Sequence, residues 1–559
     1  MKFISGLAAV ALAATTLAQP ASAATTTSPT GIAGDYIASQ LTAGLAIGDY
    51  GADIGLSIDA GLALEAIGRT ATAELVGDSI APALVTSEAY PYGYARSDEG
   101  ALDGRYANAT AKAAAFTQRL GRDAGTTYPE IDLIAQLEEL TSDTTGEIAD
   151  DSIYGNYENT IGQSFAVEAL TVAGSSEAGA ATGALLAQQC PAGFFRLTLD
   201  TTACADATDA PNPDVTALAV ISLVESASTA PGVAAAVDKA ADWLESIQLA
   251  DGSLEGDAWT PGSNSNSTGL AGWALGRVGR TASAADAAAW TRGVQAADPG
   301  ACASKAPTGG IAYNPGDLTE ARAEGVTLKR DAWRRATFQA APALLWAAPA
   351  SSPLGITTPS TATATSTVTA TVTGLAAGEY GCVSLGTTAR FVKGTGADIA
   401  VPFALPAGTG SYTFSVTTLG DTKSSTTTVP APVTPTPTPT PSPAPAALTP
   451  VVGELTASKV ERVSNNTVRL TVSCHSAQAC DGKVKIRSKH KVELANGQVR
   501  KLLLAKAEYS VAPGANATVK LKLQRPARKV LGERRLRVVA TQTARGAEPA
   551  TAAFWLRRK

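Results

Sequence analysis

Histidine and methionine are the scarcest residues in this 559-residue chain, which holds two histidines and one methionine. Both histidines, His475 and His490, lie in the last quarter of the sequence. A zinc site built from Asp, Cys and His side chains needs a histidine, so the first 350 residues lack the ligands for such a site. We expect no metal and no other cofactor.

A long apolar run is also missing beyond the N-terminus. Because a membrane-spanning helix needs about 20 apolar residues, no transmembrane anchor is expected. The first residues do carry an export pattern, in which Lys2 precedes an apolar stretch and Ala21-Ser22-Ala23 forms a small-residue cleavage site. They predict a signal peptide over 1–23 and a secreted protein, either extracellular or associated with the cell wall.

Cysteine is sparse, and its six positions favour disulfides in an exported protein. Two local disulfides are expected across short loops, Cys190 with Cys204 and Cys474 with Cys480. Cys302 and Cys382 remain, and they either pair with each other across a domain boundary or stay buried as free thiols.

Two segments of the chain are each poor in charge of one sign: the first has few basic residues and the second few acidic ones. Residues 24–350 hold 17 Lys and Arg against 40 Asp and Glu, whereas residues 448–559 hold 23 against 7. The net charges are therefore −23 and +16 on the two segments. Such asymmetry is information about partners, not about fold.

A helix–turn–helix unit recurs through the acidic segment. Aligning the units places one polar residue at the same point of each: Ser57, Thr110, Gln163, Thr216 and Thr268, with Thr337 in a sixth unit after a longer insertion. A period near 50 residues with two helices per unit predicts a helical array. The stretch 33–45 has helical spacing and would supply the sixth outer helix, closing a ring; the alternative is an open array with a loose N-terminal arm.

The fifth unit carries the motifs QLADGSL (248–254) and STGLAGWAL (267–275). Through them the region 34–350 resembles the prenyltransferase/squalene-cyclase repeat superfamily. The stretches SIYGNYENTIGQSFAVEAL (152–170), QQCPAGFFRL (188–197) and RDAWRRATFQAAPALL (330–345) resemble, more narrowly, secreted actinobacterial proteins with prenyltransferase/squalene-oxidase repeats. The resemblance implies an α/α toroid of the terpenoid cyclase/protein prenyltransferase type.

The chain departs from the enzymes of that superfamily. Leu254 stands where the usual repeat has an aromatic residue, and the Asp-x-Asp-Asp acid of the cyclases is missing. We therefore expect neither prenyl transfer nor terpene cyclisation, and no catalytic residue is assigned. Cobalamin carriers share the toroid and pair it with a β domain, so a small-molecule carrier stays open by analogy of fold.

The remaining sequence predicts two β domains. Residues 351–431 alternate Thr, Val and Ser as in an immunoglobulin-like β-sandwich, 432–447 form a Pro/Thr-rich linker, and 448–559 alternate again as a basic β-sandwich. With the toroid of six helix-pair repeats over 24–350, the predicted fold is multidomain: an all-α (α/α)6 toroid followed by two all-β sandwich domains.

The loops that lead into the inner helices hold the candidate ligand-binding residues, because such loops would gather on one face of a toroid. These residues are Tyr92, Tyr154, Tyr157, Asn159, Trp259, Asn264 and Asn266. The plainer interpretation is that the aromatics pack between units and the asparagines cap helices. Tyr90 is a further loop aromatic that could stack on a ligand. The acidic loop residues could supply a carboxylate pair, or simply be solvated; they are Asp98, Glu99, Asp150, Asp151, Glu158, Asp251, Glu255 and Asp257.

In the basic segment, Lys483, Lys485, Arg487, Lys489 and Lys491 occupy every second position and should line one face of one strand. They are candidates for binding an anionic cell-envelope polymer; solubility alone, or docking on the acidic toroid, would also account for the charge. We predict a secreted, cell-surface-associated binding protein whose toroid recognises a small molecule or glycan, with no nucleic-acid partner. The alternatives are a carbohydrate-active (α/α)6 enzyme and a structural surface spacer.

Overall fold

A computed structural model describes residues 27–85, 91–96, 102–129, 131–349, 353–431, 453–457, 460–475, 479–493, 499–531, 535–544 and 549–558. The predicted signal peptide (1–23), the predicted linker (432–447) and the residues Tyr90, Asp98 and Glu99 lie outside this part of the chain. The chain divides into two compact units, Met1–Val433 and Thr434–Lys559, and each is described by itself. The finer domain boundaries stay predictions.

Thirteen helices are described in the first unit. They are α1 Pro29–Ser39, α2 Ile54–Ala66, α3 Thr70–Leu84, α4 Ala107–Arg119, α5 Leu133–Glu139, α6 Thr160–Ala173, α7 Ala178–Ala187, α8 Pro213–Glu225, α9 Val233–Ile247, α10 Ser265–Arg277, α11 Thr281–Arg292, α12 Pro315–Glu324 and α13 Arg330–Ala340. Helices α2, α4, α6, α8, α10 and α13 each pack against the next, and α13 packs against α2. They form the closed inner ring of an (α/α)6 toroid, as the sequence predicts.

The N-terminal helix completes the outer ring. At the end of an outer helix, a glutamine side chain donates to a carbonyl in the first turn of the next outer helix: Gln189 to Ala236, Gln248 to Ser283, and Gln295 to Pro29. The last of these bonds ties the end of α11 to the start of α1. Helix α1 therefore occupies the place of the missing sixth outer helix.

The boundaries of this helix differ from the predicted 33–45. Ser28 caps the helix by accepting from the Gly31 amide, and Pro29 fits the first helical position, so the helix begins earlier. It ends at Ser39 because Ala43 and Gly44 have positive φ, which turns the chain into a hairpin of β1 Leu41–Thr42 and β2 Leu45–Gly48.

The period of the polar residues has a structural cause. Five of the six accept a hydrogen bond of 2.9 Å from a backbone amide in the loop before their own helix, namely Ser57 from Ala46, Gln163 from Ile148, Thr216 from Phe195, Thr268 from Leu254 and Thr337 from Ile311. The sixth, Thr110, donates to the Tyr106 carbonyl of its own helix. Five of these six buried side chains therefore fasten an entry loop to its inner helix, and Thr110 does not.

Short strands sit in the loops of the ring, and a β-sandwich follows it. After β1 and β2 come β3 Gly51–Ala52, β4 Tyr94–Arg96, β5 Leu102–Arg105, β6 Asp151–Ser152, β7 Gly355–Thr357, β8 Thr367–Thr373, β9 Tyr380–Leu385, β10 Thr388–Lys393, β11 Ile399–Ala404, β12 Gly410–Thr417 and β13 Thr422–Val429. The sandwich pairs a sheet β10-β9-β12-β13 with a sheet β11-β8-β7. Phe403 and Phe414 meet edge to face between the two sheets.

The sandwich is fixed to the ring by covalent and polar contacts. A disulfide joins Cys302 to Cys382 in β9, which settles the pairing that the sequence leaves open. The Tyr380 hydroxyl donates to the Gly293 carbonyl at the end of α11 (2.6 Å). Arg322 of α12 stacks on the Tyr380 ring, 4.3 Å from its centroid, while it is paired with Asp298.

The second unit is a smaller β-sandwich with its own apolar core. Its elements are β14 Gly453–Thr456, β15 Val460–Val463, β16 Thr467–Cys474, β17 Cys480–Ser488, β18 Val492–Glu493, β19 Val499–Arg500, β20 Leu503–Val511, β21 Asn516–Lys522, the helix α14 Arg525–Leu531, β22 Leu536–Ala544 and β23 Ala550–Arg558. A sheet β14-β16-β21 faces a sheet β15-β23-β22-β17-β20.

The two predicted local disulfides are present, Cys190–Cys204 in the ring and Cys474–Cys480 in the second unit. No helix among the described residues is both long and apolar enough to cross a membrane.

Candidate functional site

The inner helices all begin on one face of the ring, because an outer helix returns the chain between each inner helix and the next. We call this face, formed by the N-termini of the inner helices and their entry loops, the mouth. A cavity of about 260 Å³ lies on the ring axis. It is lined by Asp59, Leu62, Ala63, Asn108, Lys112, Asn159, Ile161, Gly162, Phe165, Leu218, Leu270, Trp273, Phe338 and Gln339, so every inner helix contributes.

The cavity has an apolar floor and a polar rim. Trp273 belongs to the floor and is almost fully buried. On the rim, Lys112 forms an ion pair with Asp59 (2.6 Å) and also donates to the Gly55 carbonyl (3.0 Å). An apolar pocket with a few fixed polar groups is the usual form of a small-molecule site, although this cavity is smaller than the ~300–1,000 Å³ typical of one.

Tyr92 lies beside this rim. A Cβ atom built on Gly55 would be 3.6 Å from the Tyr92 hydroxyl. Burial raises the pKa of Tyr92, and the charges of Asp59 and Asp53 raise it further, so the phenol keeps its proton. Of the predicted ligand residues, Tyr92 is thus a half-buried donor at the edge of the mouth.

Asn159 and Asn264 cap helices. Asn159 accepts from the amides of Ile161 and Gly162 at the start of α6. Asn264 accepts from the Ser267 amide (2.9 Å) at the start of α10, and its amide group donates to Gly262 and Ser267. The plainer interpretation describes what Asn264 does here, since both polar atoms of its buried side chain are occupied.

Asn266 differs from its neighbour. Its side-chain oxygen is buried and has no hydrogen-bond partner. Two further acceptor oxygens at the mouth share this property, one on Glu158 and one on Asp214. These three residues stand at the entrances of α6, α8 and α10, which are consecutive helices of the inner ring. We call this group the acceptor arc.

The carboxyl group of Asp214 is the most buried member of the acceptor arc. Burial raises the pKa of Asp214; the Ser267 hydroxyl opposes this rise and the charge of Asp257 adds to it. Burial likewise raises the pKa of Glu158. Unpartnered buried acceptors cost stability, so their presence at one end of the ring indicates that a ligand completes them.

Sequence reasoning missed Asp214 as a site residue. It lies two positions before Thr216, as Asn266 does before Thr268 and Asn108 before Thr110. The repeat alignment therefore contained the signal, because this position of each unit faces the mouth. In isolation, an aspartate in the first turn of a helix is an ordinary stabilising residue.

Trp259 is held at the edge of the acceptor arc with 91% of its surface exposed. Asp257 fixes its loop by accepting from the amides of Trp259 (2.9 Å) and Thr260 (3.0 Å), and by accepting from the Asn212 side chain (2.9 Å). Apolar side chains are exposed on other entry loops as well, at Tyr50, Ile153, Tyr154, Tyr157 and Leu328. A rim of exposed apolar side chains around a cavity is typical of a binding surface.

The other acidic candidates serve local structure. Asp251 accepts from the amide and hydroxyl of Ser253, which closes its turn. Asp150 accepts from the amides of Ala107 and Tyr157 and so joins two entry loops. Among the described residues, one group of three His, Cys, Asp or Glu side chains converges, at Cys190, Cys204 and Asp209, and two of its members form a disulfide.

In the second unit, the basic candidates divide at the end of β17. Lys483, Lys485 and Arg487 are exposed on one face of this strand, which ends at Ser488. Lys489 and Lys491 lie beyond the strand, so the expectation that all five line one strand is wrong for these two. The Lys489 amide makes one more bond in the register with β22, to the Arg537 carbonyl, and the chain then leaves the sheet.

No known protein family and no protein with a curated description matches the sequence. Among the solved structures that are similar to part of the chain, three each cover 57% of it. They are a protein from Actinoplanes (18% identity, TM-score 0.38, 98% of that chain covered), a wild-type glycosidase (15% identity, TM-score 0.36, 98% covered) and an unsaturated glucuronyl hydrolase specific for heparin (12% identity, TM-score 0.39, 95% covered). At such scores the similarity carries no argument about activity. The toroid is established by the packing of this chain's own helices.

Proposed function

We propose that the toroid binds a carbohydrate at its mouth. The observation that carries the proposal is the acceptor arc, in which Glu158, Asp214 and Asn266 present buried oxygens without donors. Sugar hydroxyls are donors that such oxygens would satisfy. Trp259, next to the arc, offers the exposed aromatic face on which a sugar ring stacks.

The charge of the mouth narrows the class of sugar. Beyond the effect of burial, the charge of Asp257 raises the pKa of Asp214, and the charges of Asp150 and Glu147 raise the pKa of Glu158, so the entry loops on this side of the mouth are acidic. An anionic sugar would be repelled here. We therefore propose neutral or amino sugars as ligands, with one ring entering the axial cavity and the rest of the glycan crossing the apolar rim.

Hydrolysis of the bound glycan is a second candidate function, and one observation favours it. Asp214 is a carboxylic acid whose pKa is raised by burial, and it stands near Asp257, which accepts four hydrogen bonds from Asn212, Trp259 and Thr260. Glycoside hydrolases use one protonated and one ionised carboxyl group. Asp214 would donate a proton to the leaving oxygen, and Asp257 would be the second carboxyl group of the pair.

The cellular setting belongs to the same proposal. A signal peptide, membership of the secreted actinobacterial prenyltransferase/squalene-oxidase repeat proteins and association with the cell wall are supported by the sequence patterns at 1–23 and 152–345 and by three disulfides. The second unit would hold the protein to an anionic envelope polymer through Lys483, Lys485, Arg487, Lys489 and Lys491.

A glycan array probed with the full-length protein tests the ring proposal. We expect binding to a neutral or amino oligosaccharide, weakened about 10-fold or more by Trp259→Ala, since stacking on an exposed aromatic is worth roughly 1–3 kcal/mol in the comparable case of nucleic-acid bases. Trp555→Ala, the same substitution in the second unit, is the matched control and should leave this binding unchanged. Equal binding by wild type and Trp259→Ala would remove the mouth as the site.

A further inference from the structure

The outer face of the five-stranded sheet in the second unit carries an uncompensated positive charge. Its cations come from all five strands: Arg462 of β15, Lys485 and Arg487 of β17, Lys506 of β20, Arg537 of β22 and Arg557 of β23. We call these six residues the basic face. Five of them are exposed, and Arg537 is half-buried.

The pairing register places like charges directly opposite each other on this face. Lys485 of β17 is aligned with Lys506 of β20. At the other side of the sheet, Arg462 of β15 is aligned with Arg557 of β23. Like charges directly opposite on neighbouring strands are destabilising, because their side chains stand about 5 Å apart.

The same sheet pairs opposite charges one step along the strand. Lys483 is aligned with Glu508, and the two form an ion pair of 2.9 Å. Within the described residues, no carboxylate lies at ion-pair distance from Lys485, Lys506, Arg462 or Arg557. Glu508 also attracts Lys506 at longer range, but no ion pair among the described residues neutralises the rest of the basic face, which favours anions from outside the chain.

We propose that the basic face binds a linear polymer with repeating phosphate groups. The inference rests on the proposed attachment of the second unit to an envelope polymer, and it names the surface and the chemistry. Side chains two residues apart on a strand are about 6.6 Å apart, so the cations demand closely spaced anions. Phosphate suits the arginines because guanidinium groups bind it through two parallel hydrogen bonds.

An aromatic side chain lies within the basic face. Trp555 of β23 is aligned with Arg537 and is 37% exposed, and the Arg537 guanidinium lies 5.4 Å from its ring centroid. The stacked ring holds the guanidinium plane and leaves its edge free for a phosphate. Trp555 would also contact the carbon units that link successive phosphates.

The opposite sheet supplies a matched control. Arg469 of β16 is aligned with Lys520 of β21, so it too holds a like-charged cross-strand pair, and both residues are exposed. However, Trp555 belongs to the five-stranded sheet that carries the basic face, and not to the sheet of this control pair. A purely general attraction by net charge would use both faces, whereas the proposal requires the basic face.

The experiment measures binding of long-chain inorganic polyphosphate to the full-length protein over a series of salt concentrations. Lys485→Gln/Lys506→Gln should weaken binding about 10-fold and reduce the salt slope by about 1.4, since each phosphate contact contributes roughly 0.7 on a flexible single strand. Arg469→Gln/Lys520→Gln should stay within about twofold of wild type. Both double variants should melt no lower than wild type, because each removes a repulsion.

Three results would overturn the proposal. One is equal loss of affinity in both double variants, which would show attraction by net charge alone. Another is tighter binding of polygalacturonate than of polyphosphate, which would make the ligand a carboxylate polymer. The third is binding of intact cell walls that the Lys485→Gln/Lys506→Gln change leaves undiminished. If wild type binds polyphosphate through the basic face but ignores cell walls, the surface is confirmed and the envelope attachment fails.

Discussion

Two pairs of charged side chains in the ring, one buried and one at the mouth, differ in how their charges are satisfied. Deep among the inner helices, Arg119 of α4 meets Glu168 of α6 through two hydrogen bonds of 2.6 and 2.7 Å, with exposed side-chain fractions of 7% and 2%. At the mouth, Asp214 stands near Asp257, and both are acidic. The first pair satisfies its own charges, whereas the second leaves an oxygen of Asp214 without a donor.

This difference distinguishes charged groups that hold the fold together from charged groups at the proposed binding site. Burial lowers the pKa of Arg119, but Glu168 outweighs it, so the guanidinium stays charged and fixed. Its plane lies 5.7 Å from the ring centroid of Trp273 and thereby supports the floor of the cavity. The mouth instead combines like charges and free acceptors, which cost stability in the empty ring. Burial alone therefore does not identify the site; the grouping of unpartnered acceptors at three consecutive helix entrances on the face of the axial cavity does.

The largest effect should come from breaking the satisfied pair. Arg119→Met leaves Glu168 buried without its partner and should lower the free energy of unfolding by about 3–5 kcal/mol. Chemical denaturation measures this. Arg119→Met/Glu168→Leu removes both charges and should recover most of the loss. A single variant as stable as wild type would show that Glu168 reaches water.

A smaller loss of stability should follow from removing one of the hydrogen bonds that hold an entry loop to its inner helix. Thr268→Val keeps the shape of the side chain but leaves the buried Leu254 amide without its acceptor, which should cost about 1–3 kcal/mol. The control is Thr291→Val, since the Thr291 hydroxyl is buried with no partner and its loss should be neutral or stabilising. Equal destabilisation by both changes would mean that the hydroxyls matter only through packing.

The smallest effect is a dependence of stability on pH. The pKa of Asp214 in the folded ring lies above its usual 3.8, so its contribution to stability is complete below that value and is lost as pH rises through the raised pKa. Compared with Asp214→Asn, wild type should therefore lose stability between acidic and neutral pH. Glu65 and Glu158, whose pKa values are also raised by burial, are common to both proteins and cancel in the difference. Parallel curves would place Asp214 in water.

Much of the ring follows from the sequence, because its repeat is a hydrogen-bonding requirement. The period exists because Thr268 and four of its five equivalents each hold an entry loop. The predicted end of α1 was wrong although the segment QLTAGLA (40–46) parallels QLADGSL (248–254), with Gly44 and Gly252 both at positive φ. That parallel fixes where the outer helix ends, and periodicity of apolar residues does not.

The site was less accessible to sequence reasoning. Asn264 and Asn266 are two positions apart in the same polar loop, yet one caps α10 with its whole side chain and the other leaves its oxygen free. Composition cannot separate them, because the difference depends on which face of the first turn each occupies. The prediction that Lys489 and Lys491 lie on the same strand was wrong for a similar reason, since alternation in the sequence does not show where β17 ends.

The most direct test of the central claim is to measure the stability and the glycan affinity of Asp214→Asn together at neutral pH, with the oligosaccharide found on the array. The account predicts that the melting temperature rises, because an amide replaces a buried carboxyl group beside Asp257, and that the affinity falls, because one of the two acceptor oxygens becomes an NH2 group that cannot accept from the sugar. A lower melting temperature with unchanged affinity would contradict it and make Asp214 part of the scaffold.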